Sequence, residues 1–210
     1  MKNCKTHERQ ITRRIPRLAS LATVAMGFSL VLPQAARAQT VTPPPVPPGL
    51  EVLPPNEAFL LGRGVGTQNY QCQPTGPLGR VGWVLFTPQA TLFDDQGEQL
   101  TTHFFSPNPD ENLVRVTWQD SRDTSTVWAK ATASATVDPK AVPWLKLEVV
   151  ATRVGPTGGD ALTGTTFLQR LNTRGGLAPA TGCDVLSDVG HKAFIPYSAD
   201  YFFYRKAPGN

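Results

Sequence analysis

The sequence is poor in the residues that most often carry chemistry. Its 210 residues include three histidines and three cysteines. His7 and Cys4 fall in the first 38 positions, which leaves His103, His191, Cys72 and Cys183. Two histidines cannot form a His₃ zinc site, and a two-His-plus-carboxylate site would consume both. No HExxH, CxxC or GxSxG pattern occurs, so no zinc-protease helix, dithiol redox motif or nucleophile elbow is present. No resident metal or cofactor is expected. Long apolar runs are also missing. The longest, Leu18–Leu32, has 15 residues, short of the roughly 20 that span a bilayer as a helix. No 3.6-residue apolar stripe appears after Leu32, so helical packing is not the organising pattern.

Charge is sparse and unevenly placed. Charged residues make up 17%, with 20 basic against 16 acidic and a formal net charge of +4. Residues 1–38 hold seven of the cations (Lys2, Lys5, Arg9, Arg13, Arg14, Arg17, Arg37) and one anion, Glu8, so the remainder carries −2. That balance, with no basic aromatic stripe, argues against nucleic acid as the partner. The basic start, the apolar run and Ala36-Arg37-Ala38 follow the order of a secretory signal peptide cleaved after Ala38. The mature chain is therefore expected in the periplasm or outside the cell, without a membrane span. Arg13-Arg14 hints at the twin-arginine route, but Pro16 and Arg17 fit its continuation poorly, and the general and twin-arginine routes stay open.

Cleavage removes Cys4 and leaves an even pair in an oxidising compartment, which reads as a Cys72–Cys183 disulfide. Residues 39–56 contain seven prolines, all between Pro43 and Pro55, and read as a Pro-rich tether. Residues 57–207 are expected to form one all-β domain. Val127, Ala129, Ala131, Ala133, Ala135 and Val137 alternate with Trp128, Lys130, Thr132, Ser134 and Thr136. Leu145, Leu147, Val149 and Ala151 do the same, as do Val114, Val116 and Trp118. A period of two puts one apolar row against a core. Asp94-Asp95-Gln96-Gly97, Gln119–Asp123, Gly155–Asp160 and Arg174-Gly175-Gly176 supply turn chemistry between runs. Short strands at such intervals predict a single antiparallel β-sandwich or barrel.

Four local patterns occur in order: Gly64-Val65-Gly66-Thr67-Gln68-Asn69-Tyr70-Gln71-Cys72; Ala90-Thr91-Leu92-Phe93-Asp94 through Gly97 to His103; Phe167–Gly176 with Pro179 and Cys183; and Pro196–Tyr204. Together they resemble a secreted bacterial and fungal family catalogued as domain of unknown function three-four-five-five, over roughly residues 45–205. The resemblance implies no activity, cofactor or catalytic residue. Some fungal members of that family carry a dehydrogenase label, which the residues here do not support. In Gly62-Arg63-Gly64-Val65-Gly66 the third glycine falls one residue early for GxGxxG, and Thr67–Cys72 continues as strand. Glycines in a strand mark bulges or sharp bends.

His103 is the candidate general base, at a strand end before the irregular Phe105–Asp110 loop; its bland role is to brace that loop through a ring N–H. Ser106, Ser121 and Ser198 are the hydroxyls a triad would need. Asp120 is either a catalytic carboxylate or a hairpin cap. Arg170 and Asn172, two apart on one strand, would share a face and could hold a carboxylate or sugar; the bland alternative is an Arg170–Asp pair and turn bonding by Asn172. The Trp and Tyr residues are either core or pocket wall, and Trp128 stands out because it sits on the polar row. The leading expectation is an exported, disulfide-closed β-domain that binds a small ligand or an envelope component without catalysis. The alternatives are a small secreted hydrolase or isomerase using His103, and a structural surface-interaction protein.

Overall fold

Eight strands follow one another round a closed barrel, each antiparallel to its neighbours in sequence. They are β1 (Asn56–Pro74), β2 (Val81–Phe93), β3 (Gln99–Pro107), β4 (Val114–Asp120), β5 (Thr126–Ala135), β6 (Trp144–Arg153), β7 (Thr165–Gly175) and β8 (Lys192–Lys206). The computed structural model describes residues 41–77 and 79–209; the predicted signal peptide, residues 1–38, lies outside them. Among the described residues the one helical element is a 3-10 turn, Leu186–Asp188, and no helix is long and apolar enough to cross a membrane. The all-β expectation is met by a barrel rather than a sandwich. β8 returns to pair with β1 from Asn56–Lys206 to Gln71–Lys192, the longest ladder in the molecule. That seam removes the free sheet edges a sandwich would keep.

The turns form where the sequence places Asp, Asn and Gly. At the β2–β3 hairpin, the Asp94 carboxylate accepts from the backbone N–H of Gln96 and Glu98, while Gly97 adopts φ +84°. At the β4–β5 hairpin, Asp120 Oδ1 accepts from the N–H groups of Arg122 and Asp123 at 2.8 and 2.9 Å. Side-chain acceptors of this kind stand in for backbone partners in tight turns. The β7–β8 connection is long, and the Cys72–Cys183 disulfide ties it to the end of β1. The Cα atoms of that pair are 5.4 Å apart, and the cysteines lie 111 positions apart in sequence.

An eight-stranded barrel is just wide enough for side chains to fill. Here the filling includes Leu92, Trp118, Leu147, Leu168, Tyr201 and Phe203, all 2% exposed or less. The alternation predicted over 125–137 is interrupted by register shifts after Trp128 and Ala131. Val127 and Ala129 are buried, whereas Ala131, at the open end of the same row, is exposed. Room for the largest rings comes from Gly62, Gly64 and Gly66. A Cβ at Gly64 would lie 2.8 Å from the Tyr201 ring, one at Gly62 2.8 Å from Leu92, and one at Gly66 2.0 Å from the Gln89 carbonyl oxygen. The glycine-rich run is thus a strand that lets rings and a neighbouring backbone approach it closely.

A second apolar layer lies outside the barrel. Leu171, Phe202 and Tyr204 project outward and are covered by Val41, Val46 and Val52. The residues predicted to lead in as a tether run along this wall from 41 to 55. Gln169 Nε2 donates to the Leu50 carbonyl at 2.6 Å, Gln169 Oε1 accepts from the Tyr204 hydroxyl, and Lys146 Nζ donates to the Glu51 carbonyl at 3.0 Å. Leu50 is fully buried as a result.

Two outcomes follow from this packing. Gly66→Ala pushes a methyl into backbone, and Gly64→Val pushes a branched side chain into the Tyr201 ring. Each is expected to lower stability by about 1–3 kcal/mol in denaturant unfolding, the usual range for overpacking. A paired Cys72→Ser, Cys183→Ser variant is expected to lose about 4–5 kcal/mol on the chain-entropy model for a loop of this length. Wild-type protein under reductant should then unfold with the variant.

Candidate functional site

The predicted site residues divide between the inside and the outside of the barrel. His103, on β3, points inward and is 3% exposed. Its Nδ1 lies 3.0 Å from the Thr117 carbonyl, which fixes Nδ1 as the protonated nitrogen of the neutral ring. The ring stacks on Trp118 with centroids 4.3 Å apart and planes 14° apart, and Tyr201 stands at 5.2 Å. This is bracing geometry, across β3–β4 rather than toward the following loop. Burial pushes the His103 pKa down to about 3; the Thr117 carbonyl opposes this, and the nearby Arg170 charge adds to it.

Arg170, on β7, also faces inward. Its Nε and Nη2 donate to the Pro143 carbonyl at 3.2 and 2.9 Å, and no carboxylate stands within 4.0 Å of it among the described residues. The predicted Arg–Asp pair is therefore replaced by a neutral acceptor. Beside it, burial raises the Tyr201 pKa, and the Tyr201 hydroxyl lies 3.1 Å from that of Tyr197. Between His103, Trp118, Arg170 and Tyr201 lies a void of about 10 Å³. That is close to the minimum for one water molecule and far below the size of a substrate.

Asn172 does not share Arg170's face. Leu171 pairs with Asp200 and Arg174 with Ser198, so Asn172 and Thr173 together oppose one residue, Ala199. This is a β-bulge, and Asn172 occupies its left-handed position at φ +51°. Thr173 takes the buried place and Asn172 is turned out to solvent. Its Nδ2 donates to Asp200 Oδ2 at 2.7 Å. Asp200 in turn receives Arg63 Nη1 at 2.9 Å, and Arg63 Nε reaches Asp95 at 3.1 Å. The Asp200 hydrogen bond is the largest influence raising the Arg63 pKa. These groups floor an outer groove of about 570 Å³ across β1, β8 and β7, walled by Trp144, Val137 and Val65 and edged by Arg174 and Ser198.

The remaining candidates serve other ends. Trp128 is half-buried, and its Nε1 donates to Ser106 Oγ at 2.8 Å, while Ser106 Oγ also lies 2.9 Å from Thr117 Oγ1. Its place on the polar row reflects an indole N–H that needs an acceptor. Asp120 bonds its own turn, and Ser121 Oγ accepts from Gln99 Nε2. Among the described residues, no group of three or more His, Cys, Asp or Glu converges as a metal site would require. Arg63 and Asp200 were not singled out from sequence. Gly62 and Gly64 flanking Arg63 imply that it points outward, but its partner depends on the Arg63–Asp200 register that only the closed barrel supplies.

The low His103 pKa sets a pH dependence. Above about 6.5 the imidazole is neutral both folded and unfolded. As pH falls from about 6.5 toward about 3, the unfolded chain takes up a proton that the folded barrel refuses, so stability declines. The expected slope from this group is up to about 1.4 kcal/mol per pH unit. Denaturant unfolding of wild type between pH 6.5 and 5 should show that slope, and His103→Asn, which keeps a donor toward Thr117, should flatten it. Equal slopes in the two proteins would exclude His103 as the cause.

No curated protein and no solved structure matches the chain. A family model described as "Protein of unknown function (DUF3455)" matches residues 55–205, which takes in all of β2 through β7 and both cysteines. The match agrees with the resemblance drawn from the four sequence patterns, and the chain belongs to this family.

Proposed function

We propose that this protein is an exported, non-catalytic binding barrel that holds a small hydroxylated component of the cell envelope in its outer groove. The observation that carries the reading is the β7 bulge, which turns the Asn172 amide outward beside the Asp200–Arg63 pair. A groove of about 570 Å³ lies within the range of small-molecule sites. Its floor offers guanidinium donors, carboxylate and amide oxygens and the Ser198 hydroxyl, which suit vicinal hydroxyl groups. Its walls, Trp144, Val137 and Val65, suit the apolar face of a sugar ring. Export is supported by the signal-like pattern of residues 1–38 and by the Cys72–Cys183 disulfide.

Two features favour binding over catalysis. The His103 imidazole, with its pKa near 3, is a weak base at neutral pH, and its ring is held by Thr117 and Trp118. A recess of about 680 Å³ over β2 and β3 also reaches His103 but brings no second titratable side chain to it. The outer groove has donors and acceptors but no histidine.

The test is a titration of ¹⁵N-labelled mature protein with soluble envelope saccharides. Saturable shifts are expected at Arg63, Asn172, Arg174, Ser198 and Asp200. Asn172→Gly keeps the left-handed backbone and removes the amide, and about tenfold weaker binding with little change in melting temperature is expected, the cost of one or two hydrogen bonds. Saccharide binding that ignores this substitution, or no shift with any envelope saccharide, would overturn the proposal.

A further inference from the structure

The outer groove does not account for the charge inside the barrel. Arg170 brings a guanidinium cation to the inner wall. Arg170 is half-buried, no Asp or Glu is among the buried residues described, and the guanidinium's two hydrogen bonds go to the neutral carbonyl of Pro143. Arg170 lines the small void together with His103, Trp118 and Tyr201.

This chamber has a surplus of donors. Trp118 is 0% exposed and its Nε1–H has no acceptor. Tyr197 and Tyr201 share one hydrogen bond, and the Tyr201 hydroxyl also lies beside Arg170. Tyr70, nearby, spends its proton on the Gly176 carbonyl, and the ring N–H of His103 is committed to Thr117. A positive charge beside an unspent indole N–H and a tyrosine hydroxyl is the arrangement that binds an anion. The void's volume of about 10 Å³ limits what sits at its centre to one water-sized particle.

A path leads to it. A recess of about 300 Å³ lies at one end of the barrel on the inward faces of β4, β5 and β6 and shares Val116, Leu145 and Leu147 with the void. Its other walls include Phe105 and Val114, and Arg115 and Lys130 stand at its edge. Both cations are already paired, with Glu111 and Glu148, but the Arg115 Nε is buried without a partner.

The geometry points to a monoanion site in the barrel interior: one negative charge seated against Arg170, the Trp118 indole N–H and the Tyr201 hydroxyl, and reached through the recess. Two sources share that chemistry. One is a free halide, which is larger than a water molecule and sits where the void opens into the recess. The other is the carboxylate of an apolar acid, one oxygen in the void and the chain in the recess.

The experiment uses the mature protein in solution and in crystals. Melting temperature is measured in bromide, chloride and gluconate at matched ionic strength, then in gluconate with increasing octanoate. Crystals are soaked in bromide and mapped by anomalous scattering. A halide source is expected to raise the melting temperature by several degrees over gluconate, with a bromide peak beside Arg170 and Trp118. An acid source is expected to give a saturable octanoate shift that bromide weakens. Arg170→Met should abolish whichever effect is seen. Should that variant fail to fold, Trp118→Phe removes one donor, keeps a ring, and is expected to weaken the response at least threefold. Identical melting temperatures in all salts and octanoate would overturn the site and leave a water in the void, whether or not bromide appears at soaking concentration. A response unchanged in Trp118→Phe would also overturn it. Because this site shares no residue with the outer groove, failure of either leaves the other standing.

Discussion

Closure of β8 onto β1 is the constraint on which the rest of the molecule depends. The ladder sets Gly62 opposite Tyr201, Gly64 opposite Ala199 and Gly66 opposite Tyr197. Three inward positions without side chains on one strand are what admit the Tyr201 ring and Leu92 to the interior. Tyr201 then packs edge-on to Trp118, Trp118 stacks on His103, and Phe203 closes the layer beside them. Bulky side chains at the glycine positions would demand a wider barrel, and eight strands do not give one. The disulfide and the 41–55 segment act on this frame from outside, the first holding the long β7–β8 connection and the second sealing the apolar wall over β7 and β8.

A filled interior moves recognition to the surface. Most residues lining the interior are committed to packing or to hydrogen bonds, and a water-sized void remains beside Arg170. On the outside, a single extra residue in β7 changes what the wall presents. Without the bulge, Asn172 would follow Arg170 inward as strand alternation dictates. With it, Asn172 joins the Asp200–Arg63 pair in the groove. Bulges are a common means of re-aiming a side chain, and here the strain of a left-handed asparagine coincides with the most polar part of the groove.

Much of the architecture is legible in the sequence because it rests on local rules. Period-two runs at β4, β5 and β6, Asp- and Gly-bearing turns, and an even cysteine pair lead to an antiparallel sandwich or barrel with one disulfide, and the choice of barrel rests on the β1–β8 pairing. Less was legible where the outcome depends on register. Arg170 and Asn172 look like a same-face pair until the bulge is known, and nothing in Leu171-Asn172-Thr173-Arg174 announces it beyond an asparagine tolerant of positive φ. Arg63 and Asp200 are 137 positions apart and meet only because the barrel closes. The Pro-rich stretch reads as a spacer because proline lacks N–H groups, yet Val41, Val46 and Val52 give it an apolar side that the outward Leu171, Phe202 and Tyr204 can use.

Native-state hydrogen exchange across the β1–β8 seam tests most directly whether the barrel is a closed, packed scaffold. The amides of Leu61, Gly64, Tyr201 and Phe203 are expected to exchange only through global unfolding, with free energies equal to the stability measured by denaturant. Exchange of these seam amides by a low-energy opening, while β4–β6 stay protected, would contradict the account. It would mean that the seam is not the frame that holds the barrel closed.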